Sequence, residues 1–184
     1  MKKISLLLSP LLFVFGCAVS EDGAQESSTQ SAVTFTGGHQ CVVEGINGTN
    51  EAVDCGEFAW TPLSVDEVDV WGLGQTFCQT GAGANLQCAG IHQNVALLRL
   101  NANGTRTQVA GQRYSCGQLG GVACPKTTRF TNESGHFRTL VPAGGCLRFV
   151  TALLHDQVVL PGGVSIVPTG EWDSAILNIG SNCG

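Results

Sequence analysis

The chain is expected to fold as an all-β domain, a disulfide-stapled β-sandwich or jelly-roll-like structure, and three observations point there. Glycine supplies 25 of 184 residues, near twice the share of about 7 % that is usual. No stretch keeps the helical spacing of apolar residues for several turns, because Gly, Pro or Asn keeps interrupting it. The chain also carries nine cysteines, a usage that fits an oxidising compartment, where disulfides persist.

The first residues have a different character. Lys2 and Lys3 precede an apolar run over 4–15, broken by Ser5, Ser9 and Pro10 and closed by Gly16-Cys17. That is the layout of a signal peptide. The run is shorter than the roughly 20 apolar residues of a membrane span, and a polar, acidic tract follows it at once. Val14-Phe15-Gly16-Cys17 resembles the lipobox of bacterial lipoproteins, in which a small residue precedes a cysteine that is diacylated and becomes the new N-terminus. The resemblance covers the leader alone. It implies a signal peptide over 1–16, lipidation at Cys17 with palmitate-type chains, and the membrane as a partner reached through the lipid anchor. Several acyl chains hold stably where a single one is marginal. Ala18 stands where such proteins carry Asp when they are retained at the inner membrane, so the resemblance implies export to the outer membrane or cell surface. Residues 17–31 are too polar to bury anything and read as a lipid anchor and flexible tether. Residues 32–184 are long enough for a single all-β domain with a real core.

Within that domain, runs rich in Val, Thr and Leu between turn residues predict strands at 33–36, 40–44, 51–54, 68–71, 75–79, 95–100, 105–110, 113–116, 137–141, 147–154, 158–160, 164–167 and 175–179. So many short strands suit a two-sheet sandwich or a barrel. Asn103-Gly104 is the clearest turn, since both central positions of a type I′ turn need positive φ. It would set Leu98 against Val109 and Leu100 against Thr107.

With Cys17 assigned to the lipid, eight cysteines remain, the even number a disulfide framework needs. Cys41/Cys55, Cys78/Cys88 and Cys116/Cys124 each have a glycine at the midpoint (Gly48, Gly83 and Gly120), which suggests hairpin clasps. A three-residue loop of Asn47, Gly48 and Thr49 would bring Cys41 opposite Cys55, and cross-strand neighbours are close enough for a bridge. Cys146 and Cys183 are then left for each other. The first cysteines of successive pairs fall 37 and 38 residues apart, a hint of internal repetition that makes a β-trefoil the alternative fold. Leu97-Leu98-Arg99-Leu100 through Gly104-Thr105, with Val141-Pro142-Ala143-Gly144, is similar to the jelly-roll domains appended to secreted bacterial peptidases. That similarity implies fold alone.

Catalytic and metal motifs are missing from the sequence. His155 and Asp156 are neighbours, and adjacent strand residues point to opposite faces. There is no G-x-S-x-G, and Ser134-Gly135-His136 reads as a loop. His39, His92, His136 and His155 are scattered, without the spacing of a zinc site, although His39 stands two residues from Cys41. Asp66-Glu67-Val68-Asp69 lacks a calcium-loop pattern and reads as a solvated strand edge. No cofactor is expected.

Trp60, Trp71 and Trp172 sit beside turn residues, where rings serve sugar-binding modules as stacking platforms. With Tyr114 they are the candidate ligand-binding residues, and core packing is the competing use of such large apolar rings. Charge is segregated: residues 17–98 hold ten acids and no base, whereas 99–150 hold all seven basic residues beyond the leader and only Glu133. Fourteen acids against those seven bases give a charge of about −7 without the leader, which argues against nucleic acid as a partner. The sequence thus predicts a surface-anchored, non-catalytic binding or adhesion module of the cell envelope, with a glycan or another envelope protein as partner. The alternatives are a small lipoprotein hydrolase whose groups meet only in space, and a structural envelope protein without a small ligand.

Overall fold

The computed structural model describes residues 33–125, 130–166 and 171–183, and for Glu44, Asn47, Phe130, Leu154, His155, Asp156, Glu171 and Trp172 the backbone alone. The leader, Cys17 and the tether lie outside the described residues, as does the end of the strand expected at 164–167. In chain order the strands are β1 (Phe35–Asn47), β2 (Asn50–Pro62), β3 (Glu67–Thr80), β4 (Asn85–Leu86), β5 (Gly90–Leu100), β6 (Arg106–Gly117), β7 (Phe130–Glu133), β8 (Phe137–Leu140), β9 (Cys146–Val159), β10 (Ser165–Ile166), β11 (Glu171–Asp173) and β12 (Leu177–Gly180).

They form two antiparallel sheets on one plan. Sheet A runs β1-β2-β3 and continues along β3 with β8, β7 and β4 laid end to end. Sheet B runs β6-β5-β9 and continues along β9 with β12, β11 and β10 in the same manner. Each sheet is four strands wide, with one long outer strand and one outer margin in three pieces. This is a disulfide-stabilised β-sandwich and not a trefoil. The spacing of the cysteine pairs does not reflect a structural repeat, because Cys41 lies on an outer strand, Cys78 on an interior strand and Cys116 on the opposite sheet.

Several expected strands prove to be one. The segments 68–71 and 75–79 are joined in β3 straight through Gly72 and Gly74, which read in sequence as interruptions. Both glycines face the other sheet. A Cβ on Gly74 would lie 2.5 Å from Leu153 Cδ2 and Val95 Cγ2, and one on Gly72 would lie 2.7 Å from Thr151 Oγ1. They are strand residues chosen for close approach between sheets.

That approach forms a polar waist between two apolar ends. At one end Ala52, Ile91, Val158 and Leu160 surround the half-cystines Cys78, Cys88, Cys116 and Cys124. At the other, Phe58, Val70, Leu97, Leu147 and Phe149 pack together, each large side chain stabilising by about 1.5–3 kcal/mol on burial. Between them the buried Thr76 hydroxyl donates to Asp54 Oδ1 and accepts from Gln93 Nε2 at 2.6 Å. Thr151 Oγ1 donates across the sheets to the Glu57 carbonyl at 2.7 Å. Hydrogen bonds that cross between the sheets in this way favour one register of sheet on sheet.

The disulfides join Cys41–Cys55, Cys78–Cys88, Cys116–Cys124 and Cys146–Cys183, but the local geometry differs from the expectation. The first hairpin has a two-residue loop, Gly48-Thr49, with Asn47 opposite Asn50 and Gly48 at φ 63°. A bulge between Val43 and Gly45 inserts one residue, which restores Cys41 to Cys55. The third pair clasps no hairpin: Cys116 is the last residue but one of β6, and no further strand forms between β6 and Cys124 among the described residues.

The Asn103-Gly104 turn is likewise corrected. Only Gly104 has positive φ, at 81°. Asn101 accepts from Gly104 N–H at 3.0 Å and donates to the Thr105 carbonyl at 2.9 Å, so the loop holds three residues. This is a type I turn closed by a left-handed glycine. Leu98 therefore faces Gln108 and Leu100 faces Arg106, with a bulge between Leu97 and Leu98.

Candidate binding face on sheet A

Strand alternation sorts β3 between two environments. Val68, Val70 and Thr76 point to the core, so Asp69, Trp71, Leu73, Gln75 and Phe77 point outward. The loop between β7 and β8 folds back over this outer face. Ser134 N–H donates to the Gly72 carbonyl at 2.9 Å, and Gly72 N–H donates to Ser134 Oγ at 2.9 Å. Gly135 turns the chain at φ 84°, a conformation that suits glycine. His136 is thereby set on Trp71.

The imidazole and indole stack with centroids 4.4 Å apart and an interplanar angle of 29°. His136 Nδ1 lies 2.9 Å from Asp69 Oδ2, and because a carboxylate only accepts, Nδ1 carries the hydrogen. Arg138 Nε is 3.9 Å from the same oxygen. Asp69 itself is 11 % exposed, whereas His136 and Arg138 are 50 % and 70 % exposed. A nearly buried carboxylate thus orients an accessible imidazole on an aromatic surface, with the Arg138 guanidinium drawn near by its charge. Asp69 is not the solvated edge residue expected from Asp66-Glu67-Val68-Asp69. Only Asp66 behaves that way, exposed and paired with Ser64 Oγ at 2.8 Å.

The other ring candidates have different surroundings. Trp60 is half-buried, stacks on Phe35 at 4.6 Å and packs against the aliphatic end of the core. Tyr114 packs against the disulfide end. Trp172 pairs through its backbone with Leu153, and its side chain lies outside the described residues. The side chains of His155 and Asp156 do so too.

An Asp–His pair with the carboxylate on Nδ1 is also how a general base is oriented. The serine of the same loop is no nucleophile, because Ser134 is 2 % exposed and its hydroxyl donates to the Gly135 carbonyl while accepting from Gly72. A cleft of about 420 Å³ beside Cys146–Cys183 is lined by Asn101, Arg148 and Asn182. Its amides are already engaged, Asn101 with Thr105 and Thr107 and Asn182 with the Gly144 carbonyl.

Charge segregation follows the long strands and not whole sheets, since Arg138 lies on β8 of sheet A and Asp173 on β11 of sheet B. β1, β2 and β3 carry carboxylates and no base, while Arg99, Arg106 and Arg113 lie on β5 and β6. Arg106 pairs with Asp173 at 2.7 Å and Arg138 approaches Asp69, so part of the basic set is neutralised locally. Further along the outer face of sheet A, His39 Nε2 lies 3.1 Å from Cys41 Sγ and His39 Nδ1 lies 4.0 Å from Glu57.

Of these residues the sequence marks only Trp71 as a ligand-binding candidate; it presents Asp69 as a solvated strand edge and His136 as a loop residue, and gives Arg138 no role. Asp69 and His136 are 67 residues apart, and no spacing rule joins them. Comparison with protein-family models, curated proteins and solved structures gives no match.

Proposed function

We propose that the mature protein is a non-catalytic binding module, tethered to a bacterial envelope surface through lipidated Cys17, that takes carbohydrate on the outer face of sheet A. The observation that carries this is the Trp71–His136 stack clamped by Asp69. A sugar ring offers an apolar C–H face to an aromatic surface and hydroxyls to donors and acceptors at its rim. Trp71 and His136 would supply the first, and His136 Nε2 and the Arg138 guanidinium the second. Asp69 would act through them, as a positioning residue. Small-molecule sites join apolar surface with a few placed polar groups in this way. The four disulfides suit an oxidising location outside the cytoplasm, and the lipobox-like leader gives the anchor.

Glycan-array binding by the wild type, with loss of signal in Trp71→Ala and His136→Ala, is the expected result. Trp60→Ala, in which the altered ring belongs to the core, should keep its specificity. Binding that survives both Trp71→Ala and His136→Ala would rule this face out. For the anchor, Cys17→Ala should release the protein from membranes into a soluble fraction or stall its processing, and unchanged membrane association would place the anchor elsewhere.

A further inference from the structure

The four disulfides have unlike surroundings. Cys78, Cys88, Cys116 and Cys124 are at most 6 % exposed within one core cluster. Cys146 and Cys183 are half-buried where β12 leaves β9. Cys41–Cys55 alone has one sulfur on an exposed residue of an outer strand and an imidazole nitrogen 3.1 Å from it. The register of β1 on β2 sets Cys41 opposite Cys55. Glu57, two residues after Cys55, shares its face, and the bulge between Gly37 and Gln40 turns His39 toward both. The ligand atoms of His39, Cys41 and Cys55 lie within 4.8 Å of one another.

We propose that Cys41–Cys55 is a reducible disulfide whose opening creates a site for a thiophilic divalent cation, bound by Cys41 Sγ, Cys55 Sγ and His39 Nε2. An external dithiol supplies the two electrons. One of its thiolates attacks the exposed Cys41 Sγ and expels Cys55 as thiolate. Its second thiol then displaces Cys41 from the mixed disulfide and leaves as a cyclic disulfide. The two freed thiols give their protons to solvent as the cation binds, since the thiolate is the ligand. Rotation of the side chains parts the sulfurs to the roughly 3.8 Å that two Zn–S bonds of about 2.3 Å need at a tetrahedral centre. His39 has the orientation such a site requires. Nε2 faces the sulfurs, and Nδ1 lies 4.0 Å from Glu57 Oε2, so a small side-chain rotation on metal binding brings the carboxylate to the imidazole, where it would hold the tautomer of a metal-bound histidine. The fourth position is left to water or an outside ligand. This site lies along the strands from Trp71 and does not depend on carbohydrate binding.

The test uses the mature full chain, reduced with graded dithiothreitol, with freed thiols located by alkylation and peptide mapping. After desalting without air, zinc is titrated against a chromophoric chelator. Cys41 and Cys55 should be the first pair alkylated, and the partly reduced protein should bind one zinc per chain while the oxidised protein binds none. His39→Ala should weaken binding by about 10–100-fold and Glu57→Gln by about tenfold. Cys41→Ser/Cys55→Ser should bind no zinc under the same treatment. Should that double variant misfold, cobalt added to the partly reduced wild type gives a second readout, with thiolate-to-cobalt charge-transfer absorption expected. Prior reduction of another disulfide, zinc uptake unchanged by His39→Ala, or a cobalt spectrum without thiolate bands would each overturn the proposal.

Discussion

Sheets A and B share one plan, but sheet B buries small apolar side chains on its outer face where sheet A displays rings and titratable groups. On sheet B, Ala96 and Ala152 are fully buried and Leu98 and Val150 nearly so. They lie between margins that Arg106 of β6 and Asp173 of β11 join by an ion pair at 2.7 Å. On sheet A, Val53, Cys55 and Phe77 make an apolar floor, around which stand His39 with Glu57, and Trp71 with His136 and Asp69. Sealing a face with alanines and one ion pair leaves little for a ligand to hold. Fixing half-exposed rings and donors by cross-strand contacts leaves a preorganised surface, the condition under which binding loses least to ordering.

The comparison breaks most visibly at the sealed face. Ala152→Asp would put an unpaired carboxylate under the Arg106–Asp173 bridge, and a loss on the order of 3–5 kcal/mol is expected in urea unfolding. A loss below about 1 kcal/mol would mean that this face is open to water. Trp71→Ala on the opposite face should cost less, about 1–2 kcal/mol, because the ring is only half-buried. Its effect should fall on binding, so a stability loss as large as that of Ala152→Asp would make Trp71 a core residue. The smallest effect is expected for Arg106→Ala, up to about 1 kcal/mol for an ion pair 46 % and 29 % exposed. A double-mutant cycle with Asp173→Ala isolates the coupling, and a value near zero would leave packing alone to seal the face.

The sealed core was more legible in the sequence than the displayed face. Strand alternation and glycine-centred cysteine pairs carry the class of fold, because both are local. The Cys41–Cys55 pairing comes out although the expected loop is one residue too long, since the bulge at Glu44 shifts the register back by that one residue. Bulges depend on how a strand must twist against its neighbours, which sequence does not mark. Gly72 and Gly74 look like strand breaks in sequence because the property that places them there, the approach of Thr151, Leu153 and Val95, belongs to the other sheet. The short margin strands β4, β7 and β11 carry no signal in the sequence for a related reason: each is only two to four residues long and owes its pairing to β3 or β9. The candidate site is the extreme case. Trp71 stands out as a ring beside a turn and Asp69 lies two residues before it on the same strand, but the imidazole that joins the two comes from a loop 67 residues beyond Asp69.

The most direct measurement is residue-resolved chemical-shift mapping of the isotopically labelled protein during titration with soluble oligosaccharides that bind on the array. Shifts should concentrate at Asp69, Trp71, His136 and Arg138, with Ala96, Leu98 and Ala152 unmoved. Shifts concentrated on the outer face of sheet B, or at the cleft beside Arg148 and Asn182, would contradict the assignment of binding to sheet A.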